Sequence, residues 1–285
     1  MEQRNIMSFY DIIEKYKDFD FEAYFDNVTD EDIRRTLNKD KLSYLDFLNL
    51  LSERAQNHLE AMAQKARRLT IQYFGRTIGL YIPMYLANYC SNECIYCGFN
   101  KTNKILRRKL TPEAVEAEAL EIAKTEMKHV LLLTGEAKEV TPPDYLENCI
   151  KIMKKHFSSI SIEIFPMDED EYRSLKQAGV DGLTIYQEVY DEEVYRKVHL
   201  SGQKADYRYR LDTPERGAKA GFRMINLGTL FGLGEKKKEA FFSGMHAMYL
   251  EDKYIDTEIS LSLPRINEAE GGFKPYHPIN DIDYV

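Results

Sequence analysis

At 285 residues, with 44% hydrophobic and 30% charged side chains, the chain has the composition of a folded globular protein and the length for a large core. These proportions exclude a disordered polymer, and apolar runs no longer than TIGLYIPMYLA exclude a membrane-spanning helix. A net charge of −8 spread along the chain leaves no basic stripe for nucleic acid or anionic membranes, and the opening MEQRNIMSFYDIIEKYKDFD has no signal-peptide pattern, so a cytoplasmic protein acting on small molecules is expected.

Residues 7–76 read as helical. Thr29 is placed to cap a helix over DEDIRRTL, and the amphipathic run SERAQNHLEAMAQKARRLTIQYFG stops at Gly75. The pattern then alternates, with strands predicted over 77–83, 129–134, 161–165, 182–186, 224–230 and 258–263. Between them, Thr111-Pro112-Glu113 opens a helix, Gly179 closes another, and Thr213-Pro214-Glu215 opens one that Gly221 ends. Strand and helix in regular succession predict an α/β fold with a parallel sheet and helices outside it. The expected organisation is an N-terminal helical extension over 1–76 and a (β/α) barrel of TIM type over 77–285. A closed barrel needs about eight such units, and the turn-rich stretch PRINEAEGGFKPYHPINDIDYV after the sixth strand supplies none, so the barrel is expected to be truncated after that strand.

Parallel α/β sheets bind ligands where the loops after their strands converge. Cys90, Cys94 and Cys97 fall in the first such loop, spaced C-x-x-x-C-x-x-C. The remaining cysteine, Cys149, shares a helical face with Tyr145, Leu146, Ile150, Met153 and Phe157 and reads as a core thiol. A disulfide framework is not expected in a chain of this size and compartment. Zinc could use Cys94 and Cys97 as half a site, but no second C-x-x-C or C-x-x-H pair follows. Three thiolates suit a cubane iron–sulfur cluster, with one iron left open to a small chelating molecule. A zinc-stabilised scaffold is the non-enzymatic alternative. Thr134-Gly135-Glu136, Gln187-Glu188 and Pro264-Arg265 follow other strands and should face the same mouth. Glu163 alternates with apolar neighbours and should point into the barrel, where a ligand or cation would have to meet it.

The cysteine motif, with Tyr96 just before its last member, resembles the radical S-adenosylmethionine (SAM) superfamily. That resemblance implies a 4Fe-4S cluster on Cys90, Cys94 and Cys97, and S-adenosyl-L-methionine bound at the open iron and cleaved on reduction to methionine and a 5′-deoxyadenosyl radical. The segments YLANYCSNECIYCGFNKTNKILRRKLT, LLLTGE, SIEIFPM, GLTIYQEVYDEEVYRKVHLSGQKADYRYRLDTPERGAKAG and SLPRINEAEGGF resemble a narrower group, the tyrosine lyases of thiamine thiazole biosynthesis (2-iminoacetate synthases). By this resemblance, Tyr96 meets the adenine, Gly135 and Glu136 the methionyl amino group, and Arg210 the SAM carboxylate, with Glu163 and Glu188 as further cofactor contacts. Arg265 would hold the carboxylate of L-tyrosine, Tyr85 would contact the substrate, and Gln187 the substrate or the ribose. The implied reaction cuts the Cα–Cβ bond of L-tyrosine to 2-iminoacetate and p-cresol. The implied partners are a thiazole synthase and a flavodoxin or ferredoxin donor. The sister tyrosine lyase of iron-only hydrogenase maturation is the close alternative.

Overall fold

A computed structural model describes residues 8–281; the outer ends of the two expected regions, 1–7 and 282–285, lie outside the described residues. The chain begins with α1 (Phe9–Glu14), α2 (Phe21–Asn27), α3 (Asp30–Leu37), α4 (Tyr44–Leu50) and, after a 3-10 turn over Glu53–His58, α5 (Leu59–Phe74). Local chemistry sets these starts: Ser8, Thr29 and Ser43 each close a capping box with the Asp three residues on, satisfying amides that the first turn leaves free. Gly75, at φ 66°, ends α5 as the sequence predicts.

Six strands follow, β1 (Ile82–Ala87), β2 (His129–Thr134), β3 (Ser159–Glu163), β4 (Gly182–Thr184), β5 (Met224–Gly228) and β6 (Glu258–Ser262), all parallel and neighbours in chain order. The helices between them are α6 (Pro112–Ala123), α7 (Pro143–Met153), α8 (Glu169–Ala178), α9 (Glu192–Val198), α10 (Tyr207–Leu211), α11 (Thr213–Lys219) and α12 (Lys236–Lys253). Thr111 caps α6 and Gly179 ends α8, as read from the sequence. The first strand is a correction. The apolar run from 77 to 81 is not part of it: β1 pairs Ile82 with Val130 and β2 begins at His129, so the residues before Tyr81 have no strand to pair with.

Strand alternation decides which side chains face the helices. Ile160, Ile162, Leu183, Ile225 and Leu227 are buried in the main core, and α11 lies so close that a Cβ on Gly217 would come within 2.8 Å of Leu183. The intervening residues, among them Ser161, Glu163, Thr184 and Asn226, point to the other face, which is therefore polar. Phe9, Phe21 and Leu48 of the N-terminal helices join the same core, with Phe9 stacked on His246 of α12 at 3.9 Å. Cys149 is fully buried there, as expected of a packing thiol. Among the described residues, no helix is long and apolar enough to cross a membrane.

Glu215 ties the outer helices together. Its carboxylate takes hydrogen bonds from Tyr249 (2.9 Å), Tyr254 (2.7 Å) and Lys253 (2.8 Å), and Lys219 lies 3.1 Å away. Burial acts to raise its pKa, but Lys253, Tyr254, Lys219 and Tyr249 outweigh burial and hold it down at about 2. Because the folded value is the lower one, this stabilisation is present above the ordinary glutamate pKa and is lost as pH falls through about 2. Glu215→Gln is expected to lower the unfolding free energy at neutral pH by about 2 kcal/mol, read by chemical denaturation.

Candidate active site

The loop after β1 has no ladder partner for most of its length, so side chains satisfy its carbonyls. The Arg107 guanidinium donates to the carbonyls of Asn88 (2.6 Å), Phe99 (3.0 Å) and Asn100 (2.7 Å). Asn100 donates to the Cys94 carbonyl at 3.0 Å, and Asn103 to those of Cys97 and Gly98 at 3.3 and 3.1 Å. Asn100 and the polar run KTNKILRRK that follows it thus serve as the clamp of the cysteine loop. Gly135 lets the next loop cross it: a Cβ there would fall 2.1 Å from the Tyr89 carbonyl oxygen. By resemblance Gly135 meets a ligand's amino group; the atoms that crowd it here are this chain's own backbone at Tyr89 and Asn88.

Cys90, Cys94 and Cys97 line one cavity of about 210 Å³ at the carboxyl ends of the strands. Tyr85, Tyr96, Gly135, Glu136, Glu163, Glu188 and Arg210 line it too, so most of the predicted site is brought together. Burial pushes the Cys94 thiol up to about 12 and raises that of Cys97, against the pull of Lys204 on both.

Opposite the thiols stands a buried charge network. Arg210 reaches Glu136 at 2.9 Å and Glu188 at 3.6 Å, while Lys204 reaches Glu188 at 2.6 Å and Glu136 at 3.6 Å. Asn92 adds a hydrogen bond to Glu136 at 2.9 Å, and Arg210 Nε donates to the Tyr186 carbonyl at 2.6 Å. Burial acts to raise the Glu136 carboxyl, but Arg210 and Lys204 overcome it and hold the group below the usual range. Burial and Arg210 likewise oppose the charge on Lys204, yet Glu188 and Glu136 keep it protonated. Glu136 was expected to serve a ligand's ammonium; its first partners are these two cations.

Glu163 points to the cavity as its strand position requires, with no cation in ion-pair contact among the described residues. Burial, then the neighbouring Glu188, pushes its carboxyl up to about 7. Tyr96 is buried, its hydroxyl 2.7 Å from His199 Nε2, while His199 Nδ1 lies 2.9 Å from the Tyr195 carbonyl. With Nδ1 donating to that carbonyl, Nε2 accepts from Tyr96, and burial keeps the ring neutral by pushing its pKa down to about 2.

Two predicted residues are placed elsewhere. Gln187 lies between cavity-lining Tyr186 and Glu188 but does not itself line the cavity, and its buried amide has no hydrogen-bond partner among the described residues. Arg265 pairs with Asp281 at 2.5 Å, is 41% exposed and does not line the cavity. Position after a strand located both residues along the chain but not the direction of their side chains.

Lys204, His199 and Asn92 were not anticipated as site residues. Lys204 sits between α9 and α10, where Gly202 at φ 91° would carry a Cβ 2.1 Å from Asn92 Oδ1. A glycine beside an isolated lysine was the one available signal. Asn92 lies inside the cysteine spacer itself.

The donor set fits an iron–sulfur cluster. Three soft thiols share a cavity wall, and the buried Thr134 hydroxyl on the same wall has no partner among the described residues. Among those residues, no three His, Cys, Asp or Glu side chains close on a point as a single ion would need.

Comparison with known proteins agrees. Residues 84–243 match the radical SAM superfamily. The chain is 39% identical over 87% of its length to the 2-iminoacetate synthase of Escherichia coli (strain K12), and 37% identical over 90% to that of Salmonella typhimurium. It spans about two thirds of the length of these curated relatives, 66% and 68%. The X-ray structure of the FeFe-hydrogenase maturase HydG from Carboxydothermus hydrogenoformans superposes with a TM-score of 0.78 at 29% identity, covering 97% of this chain and 64% of that one. The matched segment takes in all three cysteines and the whole charge network that faces them, and the chain belongs to the radical SAM superfamily.

Proposed function

We propose that this chain carries the catalytic part of a tyrosine lyase of the 2-iminoacetate synthase type, cutting the Cα–Cβ bond of L-tyrosine to 2-iminoacetate and p-cresol for thiamine thiazole biosynthesis. The observation that carries the reading is identity of 39% over 87% of the chain, embracing the cysteines and the network together. In this reading residues 77–285 form the catalytic barrel, residues 1–76 are a helical extension, and the protein works in the cytoplasm. When bound, the 4Fe-4S cluster and SAM supply a 5′-deoxyadenosyl radical.

The chain's own residues bind and orient. Cys90, Cys94 and Cys97 hold the cluster. Glu136 and Arg210, an anion and a cation 2.9 Å apart, offer partners for the amino and carboxylate groups of SAM. Glu163, Glu188 and Tyr96, which line the same cavity, would supply further contacts to SAM, Tyr96 on the adenine side. Tyr85 packs edge-on against Phe99 at 5.7 Å on the cavity wall, which supports a role for its phenol in contacting the substrate. A radical held without orientation attacks any nearby C–H bond, so holding the reacting groups in one orientation is the protein's main contribution. The imine product hydrolyses readily, which favours direct transfer to a thiazole synthase; a flavodoxin or ferredoxin would supply the electron.

Anaerobic reconstitution with iron and sulfide, followed by tyrosine, SAM and dithionite, is expected to give 5′-deoxyadenosine and p-cresol together. Deoxyadenosine without p-cresol rejects the tyrosine-lyase reading, and one zinc per chain without sulfide would favour a scaffold. The likeness to HydG supports a second reading, hydrogenase maturation. Restored growth of a strain that needs the thiazole, without hydrogenase activation, selects the first.

A further inference from the structure

Glu239, on the first turn of α12, is 1% exposed and has no part in the site described above. Its carboxyl is met by the backbone amides of Tyr190 at 2.7 Å and Asp191 at 3.1 Å and by the Thr229 hydroxyl at 3.0 Å. The fit is close: a Cβ on Gly234 would come within 2.5 Å of Glu239 Oε1. An acid buried among neutral donors weakens a core unless something is gained from its position.

What it touches leads to the cavity. The Thr229 hydroxyl that meets Glu239 also lies 2.7 Å from the carbonyl oxygen of Glu188, which accepts from the Leu230 amide at 2.7 Å as well. Glu188 has φ 73°, left-handed backbone that a residue with a Cβ adopts only when its surroundings hold it there. We propose that Glu239 is a positioning residue: through Thr229 and the amides of Tyr190 and Asp191 it holds Glu188 in its left-handed conformation and so keeps the Glu188 carboxylate on Lys204 at the cavity wall.

Proton counting supports the link. Thr229 has one hydroxyl proton and two oxygens within reach. When it donates to the Glu188 carbonyl, it can accept from a protonated Glu239, and every group is satisfied. When it donates to an ionised Glu239, the Glu188 carbonyl is left to Leu230 alone. Burial, which pushes the Glu239 carboxyl up to about 7 against the three donors, favours the first arrangement.

The effect on ligand rests on the reading that this cavity binds SAM; the effect on Glu188 does not. Two readouts therefore serve: backbone amide exchange at Leu230, and equilibrium binding of SAM to the reconstituted protein. Glu239→Gln places an amide against the Tyr190 or Asp191 N–H, and Thr229→Val removes the relay while sparing Glu239. Each is expected to speed Leu230 exchange and weaken SAM binding by about tenfold, the effect of one buried polar group left unpaired. Thr229→Ser should keep both near wild type. Glu215→Gln, which loosens α12 from α11 elsewhere, should lower thermal stability and move neither readout. The proposal is overturned if Glu239→Gln and Thr229→Val lose only stability, or if Glu215→Gln moves both readouts equally. If wild-type protein binds no SAM, the functional reading fails and Leu230 exchange alone decides on Glu239.

Discussion

Replacing any one of Cys90, Cys94 or Cys97 by alanine is expected to strip iron and sulfide from the reconstituted protein and to bring the proposed p-cresol formation below detection, while far-UV circular dichroism stays that of the wild type. The separation of the two effects follows from how the loop is built. Arg107, Asn100 and Asn103 fasten its carbonyls, and none of those bonds involves a thiol, so the loop keeps its path when a sulfur is lost. Two thiolates then remain for a cluster that needs one at each of three irons. Burial raises the Cys94 and Cys97 thiols, so metal-free protein carries them protonated and loading must expel those protons. Cys149→Ala is the internal contrast. It removes a fully buried sulfur, should cost about 1 kcal/mol from lost packing, and should leave iron content unchanged. Iron and sulfide analysis of the four variants checks the expectation; full iron retention in any of the first three would remove that cysteine from the ligand set.

The same contrast shows what the sequence could disclose. Chemistry written as spacing was legible: C-x-x-x-C-x-x-C identified the loop, and the helical period placed Cys149 in the core. Strand order was legible too, because Thr111, Gly179 and the β-branched runs punctuate it locally. Direction was harder. Glu163 could be turned inward by counting alternation through a regular strand, and the structure agrees. Gln187 and Arg265 lie just beyond strand ends, where the chain bends and alternation no longer fixes which side chain meets the cavity. Gln187 does not line the cavity, and Arg265 turns to Asp281. Register was hidden in the first strand, since the apolar residues before Ile82 look like a strand but have no ladder partner. Lys204 was beyond reach for a different reason. A buried lysine is recognised by its partners, and Glu136 and Glu188 are 68 and 16 residues away, brought near only by the fold.

The network around Lys204 carries the other large effect. Arg210→Met keeps most of the side-chain volume but leaves Glu136 and Glu188 to share Lys204, with the two side chains only 12% and 10% exposed. Removing one partner of a buried ion network is expected to cost about 3–5 kcal/mol of folding stability, because the stranded charge keeps its desolvation penalty. The double variant Arg210→Met with Glu136→Gln removes charge in a balanced way and should recover part of that loss, giving a coupling of more than about 1 kcal/mol in a double-mutant cycle. The pH dependence has a definite sign. In the wild type Glu136 is held below its ordinary value, so its contribution is present above that value and fades as pH falls. Without Arg210 burial prevails and the folded-state pKa rises instead. The variant then takes up a proton on folding, so its deficit relative to wild type should shrink from about pH 8 to about pH 5. A deficit that is constant or grows over that range would mean that the arginine acts by packing alone. SAM binding should be lost in both variants at either pH, because restoring the charge balance does not restore the guanidinium fork that faces the cavity.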